Sequence, residues 1–467
     1  METTQMRGTA GVLNSILDAI GGTPMVRLPA GFDPQVRCEV LLKLEYMNPG
    51  GSVKDRMALH MVRCAERRGE LLPGGRIVEC SSGNTGFGLC VVAAALGYPI
   101  TIVIPDKMSR EKIGAIRALG ATVVVTPANV PIEDPRHYTK TAQRIARETG
   151  AWWPNQYHNR DNVEAHALTT GAEIWQQCEG RLDAFVAGAG TGGTLSGIAK
   201  TLKEHNPAVK IVGVDPPGSI LAHYWKTGTL CVPKPYAVEG VGEEEVAGAW
   251  DFQRIDDYVV VSDRDSFLTA RRLATATGIL GGGSTGMNLY AALQVARGLP
   301  AGARVVTLVP DSGKAYLSKV YSEDWLRDGG YLPPTPASRA LVADLVRERE
   351  TASVLPDDTL AWALRQTGER GVRPLPVLAR RDGPLLGVLD EDAALSRLAA
   401  GVPLADLLVR DHVAAPPQVL EAGAPWSAAT EALRHCEAVL VRRADGSFIP
   451  LDRRDLLQGL RRLDHRS

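Results

Sequence analysis

An excess of charge of either sign is missing from this sequence. Its 52 Lys and Arg and 53 Asp and Glu residues leave a formal net charge of −1. There is no basic field for nucleic acid and no like-charged tail. Aromatic residues are scarce, at 5 % of the chain against 45 % hydrophobic residues in all; the cores must be built from Ala, Val, Leu and Ile. Paired cysteines are missing too. Cys38, Cys64, Cys80, Cys90, Cys178, Cys231 and Cys436 are odd in number and scattered, with no C-x-x-C among them. That excludes a disulfide framework and a structural zinc, and points to a reducing compartment. No apolar run reaches the roughly 18 residues of a membrane span. The opening segment METTQMRGTAGVLNSILDAIGGTP lacks the basic-then-apolar pattern of a signal peptide. The expectation is a soluble cytoplasmic protein that binds no metal, nucleic acid or membrane.

Glycine is abundant, at 48 of 467 residues, a length that suggests roughly three domains. RIVEC, ITIVIP, ATVVVTP, LDAFVAGAG, KIVGVDP and ARVVTLVPD read as buried strands. Between them GNTGFGLCVVAAALG, SREKIGAIRALG, GTLSGIAKTLKEH, DSFLTARRLATATG and GMNLYAALQVARG read as helices. Apolar β-branched runs alternating with helices predict parallel sheets covered on both faces. Residues 1–327 are therefore expected to be α/β, in two interleaved lobes. RDGGYLPPTPASRA has the Gly and Pro content of a linker, placed at 328–338. Residues 339–467 carry an internal repeat, two copies of helix, two short strands and helix, which predicts a separate α+β module.

Chemistry gathers at the strand–helix junctions. VAGAGTGGT holds Gly188-x-Gly190-x-x-Gly193, with Asp215 ending the next strand. The spacing satisfies the dinucleotide fingerprint. Its more general content is a phosphate cradle of backbone N–H groups from Gly190, Thr191, Gly192, Gly193 and Thr194 at a helix start. ECSSGNTG offers Ser81, Ser82, Gly83, Asn84 and Thr85 at a second junction, hydroxyls and N–H groups suited to a carboxylate. LGGGSTG presents Ser284 at a third. NPGGSVKDR places Lys54 after Pro49, two glycines and Ser52, although a cation at a helix start opposes the macrodipole. A phosphate cup, a carboxylate cup, a loop-presented lysine and a lone serine together suit pyridoxal 5′-phosphate with an amino acid substrate. A dinucleotide oxidoreductase would use the Gly188 fingerprint and Asp215 but leave Lys54 and SSGNTG idle. An inert ligand-sensing protein would need neither Lys54 nor both cups intact.

IGGTPMVRL, NPGGSVKDR, SGNTG, GTGGT, VEGVG, GGGSTG and VPDSGKAYLSK stand here in the order of the cystathionine β-synthase and cysteine synthase family, which the sequence resembles over about residues 15–325. The resemblance implies fold type II of the pyridoxal-phosphate enzymes. GVDPPGSI, VEGVG and LVPDSGKAYLSKVYSEDWL lean toward the cystathionine β-synthase branch. By resemblance, Lys54 forms the Schiff base and moves the α-proton, and as an ammonium it is the best placed acid for a leaving hydroxide. Gly190, Thr191, Gly192, Gly193 and Thr194 hold the phosphate, Asn84 the ring's 3′-oxygen, and Ser284 the pyridine nitrogen. Ser81, Ser82, Gly83, Thr85 and Gln156 grip the substrate carboxylate, and Tyr157 and Glu239 lie near the second substrate. The implied reaction is β-replacement through an aminoacrylate, making cystathionine from L-serine and L-homocysteine. A cysteine synthase, or a relative using another thiol or an amine, is the alternative.

The family usually reads EPTSGNTG where this chain has Cys80 and Ser81. Ser81 keeps the hydroxyl and loses a methyl; Cys80 reads as a small buried filler. The heme-binding extension of animal synthases has no counterpart here, so no heme is expected. The family also implies a homodimer or higher oligomer, for which AGVLNSILDAI could pack on a partner subunit or, equally, in its own core. The C-terminal repeat resembles a tandem nucleotide-sensing Bateman module, in degenerate form. Asp390 and Asp452 stand where such modules carry a hydroxyl near ribose and phosphate. Ala393 replaces the ribose-gripping aspartate of the first repeat, and Asp455 keeps that of the second. The expected order is no ligand, then S-adenosylmethionine, then adenine nucleotides, with Arg453 and Arg454 able to offset the carboxylates only if they turn inward.

Overall fold

The computed structural model describes residues 11–81, 83–106, 110–127, 130–131, 134–188, 190–333, 341–346, 351–370 and 373–464. The chain forms two compact units, Met1–Leu332 and Pro333–Ser467.

In the first unit the strands are β1 (Met25–Arg27), β2 (Glu39–Leu44), β3 (Ile77–Cys80), β4 (Ile100–Pro105), β5 (Thr122–Thr126), β6 (Ala184–Gly188), β7 (Lys210–Asp215), β8 (Asp257–Val260) and β9 (Arg304–Val309). They build a six-stranded sheet of order β1-β2-β9-β6-β7-β8 and a three-stranded sheet β3-β4-β5. The chain leaves the large sheet after β2, forms the small one, and returns at β6, so the two lobes interleave. All pairings are parallel except β1 with β2. The sheets are parallel as expected, with β1 added as an antiparallel edge strand that three residues after Pro24 were too short to show as a strand period.

The helices are α1 (Lys54–Arg68), α2 (Asn84–Leu96), α3 (Arg110–Ala118), α4 (Tyr138–Thr149), α5 (Arg160–His166), α6 (Ala172–Gln177), α7 (Gly193–His205), α8 (Leu221–Thr227), α9 (Asp263–Thr277), α10 (Gly283–Arg297) and α11 (Glu323–Asp328), with a π-helical turn at Ala167–Gly171. Helix α2 is apolar on most sides and buries Leu89, Cys90, Val92 and Ala93 in the small lobe, against Ile100, Ile102 and Ile104. Packing runs on past α11, where Tyr331 meets Phe267 edge-on. Of the stretch read as linker, residues 328–333 are described and 334–338 lie outside the described residues. Among the described residues no helix is long and apolar enough to cross a membrane. From the apolar N-terminal segment Leu17 enters the core, whereas Val12, Leu13 and Ile16 remain exposed.

A buried ion network fixes the entrance to α1. Arg56 donates to Glu45 Oε2 at 2.6 Å and to Glu173 Oε1 at 2.7 Å, and Lys43 donates to Glu173 Oε2 at 2.6 Å. Glu173 also accepts from Gly22 N–H, and Asn48 from Gly21 N–H. The IGGTP and NPGG segments are thus anchored to one cluster, and buried charges of this kind are retained only when paired.

The second unit contains β10 (Pro376–Leu378), β11 (Leu385–Leu389), β12 (Val413–Ala414), β13 (Val419–Glu421), β14 (Ala438–Arg442) and β15 (Phe448–Asp452), in sheets β10-β11-β12 and β13-β14-β15. Helices α12 (Val342–Leu345), α13 (Leu360–Arg370), α14 (Glu391–Ala399), α15 (Trp426–His435) and α16 (Arg453–Asp464) complete it. Each repeat has the expected helix, strand, strand and helix, plus a third short strand. Asp390 Oδ1 accepts from Ala393 N–H at 2.9 Å. Asp452 Oδ1 accepts from Asp455 N–H at 2.8 Å, and Asp455 Oδ2 from Asp452 N–H at 3.1 Å. Arg453 and Arg454 are exposed rather than turned inward.

Candidate active site

Lys54 is the first residue of α1, and its N–H donates to Ser52 Oγ at 3.2 Å. The loop before it is stitched to the PDSG turn: Val53 N–H donates to Pro310 O, and Ser312 N–H to Gly51 O. The LGGGS loop is stitched to the same turn by Gly282 N–H donating to Asp311 O. Asp311 Oδ2 accepts from Asn84 Nδ2 at 2.8 Å and from Tyr316 OH at 2.6 Å. Lys54, Asn84 and the helix start carrying buried Ser284 therefore meet around Asp311. Among the described residues no hydrogen bond or ion pair engages Lys54 Nζ. Burial lowers its pKa, and the Asp311 and Glu243 carboxylates pull the other way. The residue as a whole is half-buried.

The two cups form one connected set. Thr85 Oγ1 donates to Gln156 Oε1 at 2.6 Å. Asn162 Nδ2 donates to Gln156 O at 2.9 Å and to Thr191 Oγ1 at 3.3 Å. Thr194 Oγ1 meets His166 Nε2 at 3.2 Å, and His166 Nδ1 meets Thr170 Oγ1 at 2.9 Å. His166 is fully buried, which pushes its pKa well below the usual range and keeps it neutral. Ser81 Oγ accepts from Gly86 N–H at 3.0 Å and from Gly83 N–H at 3.3 Å, so it caps the first turn of α2 from the loop before it and has its own proton left to donate. Ser82 lies outside the described residues. Cys80 is buried and its thiol is pushed up, first by burial and then by Glu79.

Helices α2, α7 and α10 begin at Gly83, Gly192 and Gly282, with no side-chain cap on any of these residues. The first turns of α7 leave N–H groups of Gly193, Thr194 and Leu195 without intrahelical acceptors. Gly192 has φ +92°, and a Cβ there would lie 2.8 Å from the Trp250 ring. A Cβ on Gly193 would collide with the Asn162 amide. At these two positions the loop is enclosed so tightly that only glycine fits. A tight backbone cradle at a helix N-terminus, with Thr191 and Thr194 at its rim and Lys54 and Ser284 at two neighbouring helix starts, fits pyridoxal phosphate.

Glu239 and Tyr157 flank this region. Glu239 Oε1 accepts from Lys319 Nζ at 2.6 Å, and both line a small cavity with Gly283 and Tyr316. Burial raises the Tyr157 phenol well above its usual pKa. Asp215, which a dinucleotide site would place on a ribose, is fully buried and accepts from Ala222 N–H at 2.9 Å in the first turn of α8. Asp311, Tyr316, Asn162, His166 and Glu243 were not singled out from the sequence. PDSG at the end of a strand is a signal that could have raised Asp311; the others come close only through long-range packing.

A model of the pyridoxal-phosphate dependent enzymes matches residues 16–311. The chain is 41 % identical to mouse (Mus musculus) cystathionine beta-synthase over 401 residues, spanning 84 % of this chain and 70 % of that protein. It is 42 % identical to a cysteine synthase of Staphylococcus aureus over 314 residues, 67 % of this chain and 98 % of the other. The crystal structure of an O-acetylserine dependent cystathionine beta-synthase from Helicobacter pylori superposes with a TM-score of 0.62 at 36 % identity, over 67 % of this chain and all of that one.

Proposed function

The chain belongs to the cystathionine β-synthase and cysteine synthase family of pyridoxal-phosphate enzymes, and from that premise we propose that it makes cystathionine by β-replacement on L-serine with L-homocysteine. The observation that supports this most is Lys54. Its amine is desolvated and unpaired, at the point where three glycine-started helices converge. A lysine must be neutral to take a proton, and burial provides that.

Pyridoxal phosphate, when bound, supplies a carbonyl for the substrate amine and a conjugated ring that spreads charge released at Cα. The chain does the rest. Gly190, Thr191, Gly192, Gly193 and Thr194 hold the phosphate. Neutral His166 is hydrogen-bonded to Thr194 Oγ1, and in the tautomer with the ring proton on Nε2 the threonine proton is free to point to the phosphate. Asn84, braced by Asp311, holds the ring oxygen. Ser284 faces the ring nitrogen; a hydroxyl there leaves that nitrogen largely unprotonated, which favours loss of a β-substituent over transamination. The α2 N-terminus, with Ser81, Ser82, Gly83, Thr85 and Gln156, orients the substrate carboxylate. Lys54 removes the proton from Cα and returns it. Tyr157 and Glu239 border the space for the second substrate.

The near alternative is a cysteine synthase reaction on an O-activated serine, which the similarity to the S. aureus enzyme favours. Mass spectrometry of products from serine, O-acetylserine and O-phosphoserine, each paired with homocysteine and with sulfide, decides between them. Cystathionine from serine is expected; cysteine as the sole product overturns the leading assignment. We also propose at least a homodimer in the cytoplasm, with exposed Val12, Leu13 and Ile16 on the partner. A single 50.0 kDa species by light scattering would refute the dimer. Residues 339–467 are read as a degenerate tandem Bateman module.

A further inference from the structure

The run Glu243–Glu244–Glu245 looks in sequence like a solvated stretch of charge. In the fold Glu244 and Glu245 are exposed, and Glu243 is half-buried. Its backbone is clamped on both sides. Its N–H donates to Ser219 Oγ at 3.0 Å, and its carbonyl accepts from Ile220 N–H at 3.1 Å and from the Ser219 hydroxyl at 3.3 Å. The segment leading to it lies on the phosphate loop: Gly240 O is 3.1 Å from where a Cβ on Gly190 would be, and Val241 closes on Gly188.

Among the described residues no hydrogen bond or ion pair engages the Glu243 carboxyl. The other inward carboxylates around the site are occupied. Asp311 holds Asn84 and Tyr316, Glu239 pairs with Lys319, Asp215 accepts from Ala222 N–H, and Glu79 accepts from Cys80 N–H and the Trp153 indole. The Glu243 carboxyl lies within electrostatic range of Lys54 of α1, Tyr157, Tyr138 of α4 and Tyr236, with Asp215 and its neighbours Glu244 and Glu245 adding negative charge. Burial, helped by those carboxylates and opposed by Lys54, raises its pKa to about 8, so it carries a proton at neutral pH.

We propose that Glu243 is the acid and base for the substrate's β-carbon, which makes unactivated serine the first substrate. The Cβ–O bond breaks with its electron pair on oxygen, the oxygen takes the Glu243 proton, and water leaves. The incoming thiol then forms the C–S bond and gives its proton to the Glu243 carboxylate, restoring the acid. Lys54 handles only the α-proton, so serine and thiol give thioether and water. This rests on the β-replacement reading, and it takes the leaving-group role away from Lys54.

The test isolates the first half-reaction, followed by stopped-flow absorbance without thiol, for L-serine and O-acetyl-L-serine. Acetate leaves without an acid; hydroxide does not. Glu243→Gln is expected to slow the serine reaction by on the order of 10²–10⁴-fold, the usual worth of a general acid, and to leave O-acetylserine within about tenfold of wild type. Glu243→Asp should fall between wild type and the Gln variant on serine. An infrared band of a protonated carboxylic acid at pH 7, lost in the Gln variant, reads the same group without turnover. Equal slowing of both substrates, or unchanged serine chemistry, overturns the proposal. So does a wild type that reacts with O-acetylserine but not serine, although β-replacement itself then stands. A wild type inert to both removes the β-replacement reading as well.

Discussion

The two units of this chain treat the same structural opportunity in opposite ways. In the catalytic unit three helices have glycine as N-cap, and apart from the Gly86 N–H that Ser81 holds in α2 their first N–H groups are left for a ligand. In the C-terminal unit the corresponding strand–helix junctions are closed by carboxylates. Asp390 caps α14, and Asp452 and Asp455 cap each other's N–H groups at the start of α16. A helix N-terminus is an anion site only while its orphan donors remain free. Glycine keeps them free and costs local stability; aspartate satisfies them and removes the site. The difference between the open and the capped junctions thus rests on a few side chains rather than on topology.

The sharpest way to break the comparison is to remove what the open junctions surround. Lys54→Ala should lower kcat by on the order of 10³-fold or more, since it deletes the acid–base group at Cα. The visible cofactor band should be lost or shifted. Normal turnover by that variant, measured by product release, would end the mechanism.

The support under the open site comes next. Arg56 is buried between Glu45 and Glu173, and Arg56→Ala leaves Glu45 without its cation and Glu173 with Lys43 alone. A loss of roughly 3–5 kcal/mol is expected, read as a lower denaturation midpoint. The pH dependence has a definite sign. Burial raises the Glu173 pKa, but Arg56 and Lys43 outweigh it and bring it to about 2, below the usual 4.5. Its contribution is therefore present above about pH 4.5 and is lost as pH falls toward 2. In the Arg56→Ala variant the acid-induced loss should begin at higher pH. Indistinguishable acid profiles would show that Lys43 alone suffices.

Much of this was readable in the sequence, and the limit has a physical reason. Glycine runs, Lys54 and the hydroxyls at SSGNTG are local, because turn chemistry and N-terminal donors depend on adjacent residues. The apolar strands declared themselves by composition. What stayed hidden depends on distant packing. Glu243 could not be separated from Glu244 and Glu245 until Ser219 clamped its backbone. His166 looked like one polar residue in a helix until Thr194 met it across the fold. Asp390 and Asp452 were read as charges set against phosphate; the structure adds that they already serve as caps.

A smaller effect separates crowded from open glycines. Gly193→Ala pushes a methyl into the Asn162 amide, and overpacking of this kind costs about 1–3 kcal/mol. Cofactor affinity, titrated by fluorescence into apoprotein, should fall roughly 5- to 150-fold. Gly114, exposed in α3 with no atom within 4 Å of an added Cβ, is the control. There alanine should raise stability by up to about 1 kcal/mol through helix propensity and leave cofactor affinity alone. Equal effects at the two sites would mean that enclosure of the phosphate loop is not what glycine provides.

The smallest effect tests the sealed unit. Asp452→Ser keeps an N-cap, so stability should change by only a few tenths of a kcal/mol, whereas Asp452→Ala should cost about 0.5–2 kcal/mol. For nucleotide binding the two act alike, because both remove a carboxylate from beside a phosphate. Such a carboxylate costs on the order of 1–4 kcal/mol at about 4 Å near a surface. The exposed Arg453 does not offset this, since its Nε donates to Leu433 O at 2.8 Å. Isothermal titration of AMP into the full chain should give no micromolar binding in wild type, and S-adenosylmethionine, which lacks phosphates, should be tolerated better than AMP. Micromolar AMP binding at the C-terminal unit of the wild type would refute the charge argument, and with it the view that these aspartates closed the site.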